Sequence, residues 1–213
     1  MANVAADQSN AKVDGDFFEL IGGHPALDLV NTLDWRFRDD PPPVELLRDY
    51  RDLVRFTEQS GLMNRTVAAR LLRNTTANKA AAVVAAVREL RETAAQVAYA
   101  ALEQVKPPAS AIKKLEERFN RAQEAERLNW DGTKLAWHLE DSMPVAELPL
   151  WLLARSAAAL MTSDQMEMLR ECGNPECRWL FLDTSKNHTR RWCDMKICGN
   201  RMKARRFKAQ HQR

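Results

Sequence analysis

All four cysteines of the chain fall in its last 42 residues, as Cys172, Cys177, Cys193 and Cys198. The spacing is C-x4-C, then fifteen residues, then C-x4-C. Two close-spaced pairs separated by a hairpin-sized segment supply the four thiolates of a tetrahedral zinc site. None is left over, and the preceding 171 residues contain no cysteine. Four unrelated buried thiols are therefore a poor explanation. A disulfide framework is no better. The start, MANVAADQSNAKVDGD, has neither the basic stretch nor the apolar core of a secretory signal. That points to the cytoplasm, where thiols stay reduced.

A 43-residue tail cannot build much core of its own. Zinc supplies the missing stability, on the order of 10–16 kcal/mol in small modules. Cys172-Gly-Asn-Pro-Glu-Cys177 reads as a metal-binding knuckle and Trp179–Leu182 as a strand returning from it. Asp183–Asn187 reads as a turn, Arg190–Cys193 as a second strand, and Cys198 as the start of the last helix. That order is close to a treble clef. Trp179, Phe181 and Trp192 would form its small core. A site closed by four thiolates has no open position for water, so the zinc is expected to be structural rather than catalytic.

Charge is segregated along the chain. Residues 171–213 hold 11 lysines and arginines against 4 acids, whereas the rest has 21 against 25. From Gly199 to Arg213 there is no acid at all. Arg190, Arg191, Lys196 and Arg201 lie near the cysteines and would offset the negative charge of a four-thiolate zinc site. Lys203, Arg205, Arg206 and Lys208 run away from it. In a helix from Cys198, Arg201, Arg205 and Lys208 share one face. A helix so charged repels itself unless a polyanion neutralises it. Nucleic acid is the expected partner, with Arg190, Arg191, Arg201, Lys203, Arg205, Arg206 and Lys208 as contacts.

Residues 16–165 read as mainly helical, after a polar tail over 1–15. Gly22-Gly23 marks a turn after a short strand formed by Phe17, Phe18, Leu20 and Ile21. Pro25 suits the first position of a helix that buries Leu27, Val30 and Leu33. Pro43 opens a helix with Leu46, Leu47, Tyr50, Leu53, Val54 and Phe56 inward. Asn64 caps another. Thr76–Val105 is long and alanine-rich, and Ser110 caps a charged helix with Ile112, Leu115 and Phe119 inward. The period then changes to two around Asp131-Gly132, the signature of a β-hairpin. Pro144–Met161 returns to helix. Trp130, Trp137 and Trp151, at strand and helix spacing, read as core. Ser163–Gln165 is the expected boundary before a finger spanning 166–213.

The tail resembles the CGNR zinc finger through Cys172-Gly-Asn-Pro-Glu-Cys177, Trp179-Leu-Phe-Leu-Asp183, Ser185-Lys-Asn187, Arg190-Arg-Trp-Cys193 and Cys198-Gly-Asn-Arg201, with Lys203 and Arg206 following. The front part, with Leu27-Asp-Leu-Val-Asn-Thr32, resembles the ABATE domain that usually precedes that finger. The resemblance implies a bacterial stress-induced transcriptional regulator. Its finger would bind DNA, its helical domain would act as a sensor, and the same four cysteines would be the ligands.

Three functions fit these features. The first is a zinc-dependent DNA-binding regulator whose front domain senses a small molecule or forms a homodimer. His24, Asp28 and Asn31 are the candidates for its ligand pocket. The second is an RNA-binding or ribosome-associated module. The third is an enzyme in the helical domain with the finger as accessory. The chain shows no dinucleotide fingerprint, P-loop, H-E-x-x-H or G-x-S-x-G motif, which argues against the third. No apolar run approaches the roughly 20 residues of a membrane span, so no membrane partner is expected. The expected fold is mainly α with a small β-hairpin, followed by the four-cysteine finger.

Overall fold

The computed structural model describes residues 18–139 and 145–211. The expected tail over 1–15, Phe17 and the Pro144 helix start lie outside them. Seven helices and three two-stranded antiparallel sheets are seen among the described residues. None of the helices is long and apolar enough to cross a membrane.

Helix α1 (Pro25–Asn31) starts where the proline predicts, with His24 as its N-cap and His24 Nδ1 accepting from Ala26 N at 3.2 Å. It ends before Leu33, which was expected on its inner face. Leu33–Asp34 instead forms β1 and pairs with β2 (Val44–Glu45). Pro43 therefore leads into a strand, not a helix. The next helix, α2 (Tyr50–Gln59), waits for the Asp49 cap, whose carboxylate accepts from Asp52 N at 2.9 Å. A capping carboxylate accepts from a first-turn N–H, which proline, with no side-chain acceptor, cannot do. Asn64 caps α3 (Arg65–Asn74) as expected, accepting from Val67 N.

Helix α4 (Ala77–Leu102) is the central pillar, and α5 (Ala109–Glu124) and α6 (Leu148–Met161) pack beside it. Ser110 does not cap α5: its N-cap is Pro108, with no side-chain bond. Ile112 is exposed, and Ala111, Leu115 and Ala122 face inward instead. The main core joins Leu53, Phe56, Leu71, Leu90 and Leu153, with Trp151 packed against it. Between α5 and α6 runs the predicted hairpin of β3 (Glu126–Trp130) and β4 (Leu135–Leu139). Its Trp130 and Trp137 are exposed, contrary to the core expectation. A single hairpin has no second layer to bury an apolar face.

The finger follows α6. A 3₁₀ turn (Asp164–Met168) leads into β5 (Leu169–Glu171), which pairs with β6 (Leu180–Leu182). The expected partner for that strand, Arg190–Cys193, is irregular. A π-turn (Met195–Gly199) carries Cys198, and α7 (Asn200–His211) then runs out with no buried residue. The finger does not stand apart. A second core joins Leu27 and Val30 of α1, Ala94, Ala95 and Ala98 of α4, and Leu169, Leu180 and Leu182 of the finger. The alanines of α4 allow strands and α1 to approach its backbone closely, which larger side chains would prevent.

One buried ion pair ties the front elements together. Arg91, 4 % exposed at its side chain, makes two bonds to Glu45 at 2.7 and 2.8 Å and one to Glu92. Glu92 also pairs with Arg36. Truncating Glu45 leaves the buried Arg91 guanidinium with only Glu92 and Thr32 as partners. Glu45→Ala should lower unfolding stability by about 2–3 kcal/mol. Replacing both partners, as Glu45→Ala with Arg91→Met, should recover part of that loss. Urea titration of the three proteins measures both changes.

Candidate metal centre and nucleic-acid interface

The four cysteine sulfurs lie within 4.8 Å of one another, and all four residues are buried. A zinc–sulfur bond of about 2.3 Å implies a tetrahedron edge of about 3.8 Å. Cys177 and Cys193 Sγ stand at 3.7 Å. The backbone builds this cluster locally. Cys172 N donates to Trp179 O at 2.8 Å, closing the knuckle, and Gly173 N donates to Arg191 O at 2.9 Å, bringing the second pair alongside. Fully buried Asn174 accepts from Glu176 N and donates Nδ2–H to Cys198 Sγ at 3.5 Å. Asp194 Oδ1 accepts from Lys196 N and Ile197 N, and so shapes the turn that aims Cys198 inward. Thiols this close share protons unevenly. S–H bonds from Cys177, Cys193 and Cys198 pull Cys172 below the ordinary thiol range, and the same contacts with Cys172, Cys193 and Cys198 push Cys177 up. A divalent cation replaces those shared protons and lets all four sulfurs ionise.

The finger's core is as expected. Trp179 and Phe181 are buried with the cysteines, and Trp192 packs against them. The front domain contributes Ile21 and Trp35 to the same cluster, a long-range packing that no local pattern signals. The other joints are polar. Asn31 Nδ2 donates to Leu180 O, and Asn31 Oδ1 accepts from Leu180 N, both at 2.9 Å. Leu182 N donates to Gly22 O at 2.8 Å. Tyr99 OH donates to Arg178 O at 2.8 Å. Asp28 accepts from Gly22 N at 2.7 Å, and a Cβ on Gly22 would meet that carboxylate and Leu27 Cβ at 2.9 Å each. His24, Asp28 and Asn31 are thus occupied as cap, turn anchor and strand partner.

Two acids at this joint are protonated more readily than usual. Burial pushes Asp28 up to about 6, against opposing bonds from Gly22 and Ile21. Burial likewise pushes Asp34 up to about 6. The buried Trp179 indole N–H faces Asp34 and slightly favours its charged form, although it falls outside hydrogen-bonding geometry.

The basic residues divide into two sets. Arg190 is spent inside the protein. Its guanidinium donates to Ile21 O, Cys193 O and Trp192 O, and stacks 4.1 Å over Phe181. Arg201 stacks 4.4 Å over Trp35, and Arg205 pairs with Glu176 at 2.6 Å. At the start of α7 the face that carries Arg201 and Arg205 therefore turns toward the protein, whereas Lys208, further along the same face, is exposed. Lys203, Arg206 and Lys208 are exposed and join no ion pair among the described residues, and Arg191 is exposed over Trp192. Trp35 could have been found from the run Asp34-Trp-Arg-Phe-Arg38, where an aromatic ring sits among cations able to stack on it.

The buried four-sulfur cluster and the helical front domain match known family models. A model of the CGNR zinc finger matches residues 168–211. A model of ABATE, described as "Putative stress-induced transcription regulator", matches residues 23–164. The chain belongs to the ABATE family. Its CGNR finger binds one structural zinc, held by the four converging cysteines. No curated protein matches this ABATE chain.

Two outcomes check this site. Purified protein should carry one zinc per chain by elemental analysis. Cys177→Ser should lose it together with the near-UV signal of the finger's tryptophans, because the metal supplies stability on the order of 10 kcal/mol to a module of this size. The second concerns Asp28. A carboxyl raised from 3.8 to about 6 on folding stabilises the protein in its protonated form. That contribution is complete below pH 4 and is lost as pH rises through 6. Asp28→Asn should therefore be more stable than the parent at pH 7, by up to ~3 kcal/mol, with the difference vanishing near pH 4. Paired denaturant titrations across pH 4–7 read that difference directly.

Proposed function

We propose that this protein is a zinc-dependent DNA-binding transcription regulator. The reading rests on α7. This helix has no buried residue, carries no acid, and projects Lys203, Arg206 and Lys208 from a finger rooted in the domain core. Cations on a rigid, exposed helix fit the phosphate rails that flank a major groove. The contacts proposed are Lys203, Arg206, Lys208 and Arg191. Arg201 and Arg205 act chiefly to hold α7 against Trp35 and Glu176. Arg190 holds the zinc module to the front domain.

The sensing half of this reading falls on a cleft rather than on His24, Asp28 and Asn31. An open cleft of about 360 Å³ is lined by Arg36, Phe37, Glu92, Tyr99 and Glu103 of the front domain, and by Arg178 of the finger. Arg178 lies over both Phe37 and Tyr99, at 4.3 and 5.1 Å. A small polar aromatic or cationic effector bound there would touch both parts at once. It would bias the finger's placement through the Tyr99–Arg178 bond.

Selection from a randomised duplex pool with zinc-loaded protein at near-physiological salt tests the reading. A shared enriched motif is expected. The triple variant Lys203→Ala/Arg206→Ala/Lys208→Ala should bind at least 10-fold more weakly, with the slope of log affinity against log salt falling by roughly 2–3. Unchanged binding would remove α7 from the interface. Stronger binding to structured RNA than to duplex DNA at matched salt would favour the RNA-binding alternative. Trp179 and Phe181 are buried and cannot serve as base-stacking platforms in this fold.

A further inference from the structure

The hairpin is the most unusual surface of the molecule. Leu128, Trp130, Leu135 and Trp137 are 48, 64, 61 and 60 % exposed. They alternate along their strands and so share one face, while Arg127, Asn129 and Ala136 lie on the other. The Arg155–Glu126 ion pair, at 2.6 Å, ties the hairpin's base to α6. Beyond that base β3 and β4 pack chiefly on each other. A two-stranded hairpin standing in water is marginal, and an apolar face of this composition needs a cover.

The register says what fits it. Leu128 is opposite Trp137, and Trp130 is opposite Leu135. The tryptophans therefore occupy one diagonal of a four-residue square and the leucines the other. When a second copy of the square is laid face to face about a two-fold axis in its plane, each tryptophan meets a leucine. This holds whether the axis runs along the strands or across them. Large against small at every position is what close packing needs. Self-complementarity under a two-fold is the defining property of an isologous dimer patch.

Size and composition agree. The four side chains expose on the order of 500 Å² per copy, so two copies would bury about 1,000 Å² in total, the lower bound for a specific interface. The centre carries no charge, and tryptophan is the residue most enriched at interface centres. The chain's own residues 140–144, Glu-Asp-Ser-Met-Pro, offer Met143 as their one large apolar side chain, too little to cover two tryptophans.

We propose that this hairpin face is a homodimer interface and that its occupant is the same face of a second copy. The proposal extends the regulator reading without depending on it, since association is measured without nucleic acid. A dimer would present two α7 helices, and so two half-sites, which raises the affinity and site length that one small finger provides.

Sedimentation velocity of the full-length zinc-loaded protein, from about 0.5 to 100 µM, tests this. A reversible monomer–dimer equilibrium with a dissociation constant in the micromolar range is expected. Trp130→Glu and Trp137→Glu should each weaken it at least 30-fold, with zinc content and far-UV circular dichroism unchanged. Hydrogen exchange on the parent protein gives a readout that needs no variant. Amides of residues 126–139 should exchange more slowly at 100 µM than at 0.5 µM. A parent that stays monomeric to 100 µM overturns the proposal, whether or not the hairpin binds anionic vesicles or another protein. So does a dimer that survives both substitutions with hairpin exchange independent of concentration.

Discussion

One side-chain amide bears more of the architecture than any other polar group. Asn31 presents a donor and an acceptor to the two backbone groups of Leu180, as a neighbouring strand would. β6 has β5 on one edge and needs a partner on the other. The front domain supplies it, with Asn31 at one residue and Gly22 O two residues on. Because those bonds are buried, losing them would leave unpaired peptide groups, each costing about 1–3 kcal/mol. The seam fixes the finger together with two apolar clusters and the Tyr99–Arg178 bond. Leu180 and Leu182 enter the second core, Phe181 points the opposite way into the zinc module, and Arg190 closes over it. Alternation along three residues thus serves two cores at once.

The seam also reassigns charge. Cations near a four-thiolate zinc would serve electrostatics equally well as solvated surface, but Arg190 and Arg201 are instead fixed by carbonyls and aromatic faces. Guanidinium can do this because its planar fork stacks and donates at the same time. α7 is then anchored near its start through Arg201 and Arg205, while Lys203, Arg206 and Lys208 stay exposed. Groups held this way lose less conformational entropy in any later association, since less ordering remains to be done.

Much of the chemistry was legible in the residues. The four cysteines declared the metal, because thiolate spacing leaves few other uses in a chain with no further cysteine. The hairpin was read from period-two alternation around Asp131-Gly132, and α1, α3 and α4 from their proline, their cap and their alanine content. The misreadings share a cause. Leu33 and Val44 look helical in sequence but sit in β1 and β2, because periodicity over a few residues cannot separate a helix from a two-residue strand. Trp130 and Trp137 look like core but are exposed, because apolarity is visible in sequence but burial is not. For Arg190, sequence shows the charge and not the carbonyls around it.

The sequence by itself determined the local chemistry: which residues ligate, where helices can begin, and where positive charge accumulates. These follow from residue type and short-range spacing, and they need no knowledge of distant neighbours. Only the tertiary structure decided what each polar or charged group is for. Asn31 and Leu180 are 149 residues apart, so no local pattern could announce their pairing. Whether a cation faces solvent or a carbonyl, and whether a tryptophan is core or surface, depends on which distant segment arrives beside it.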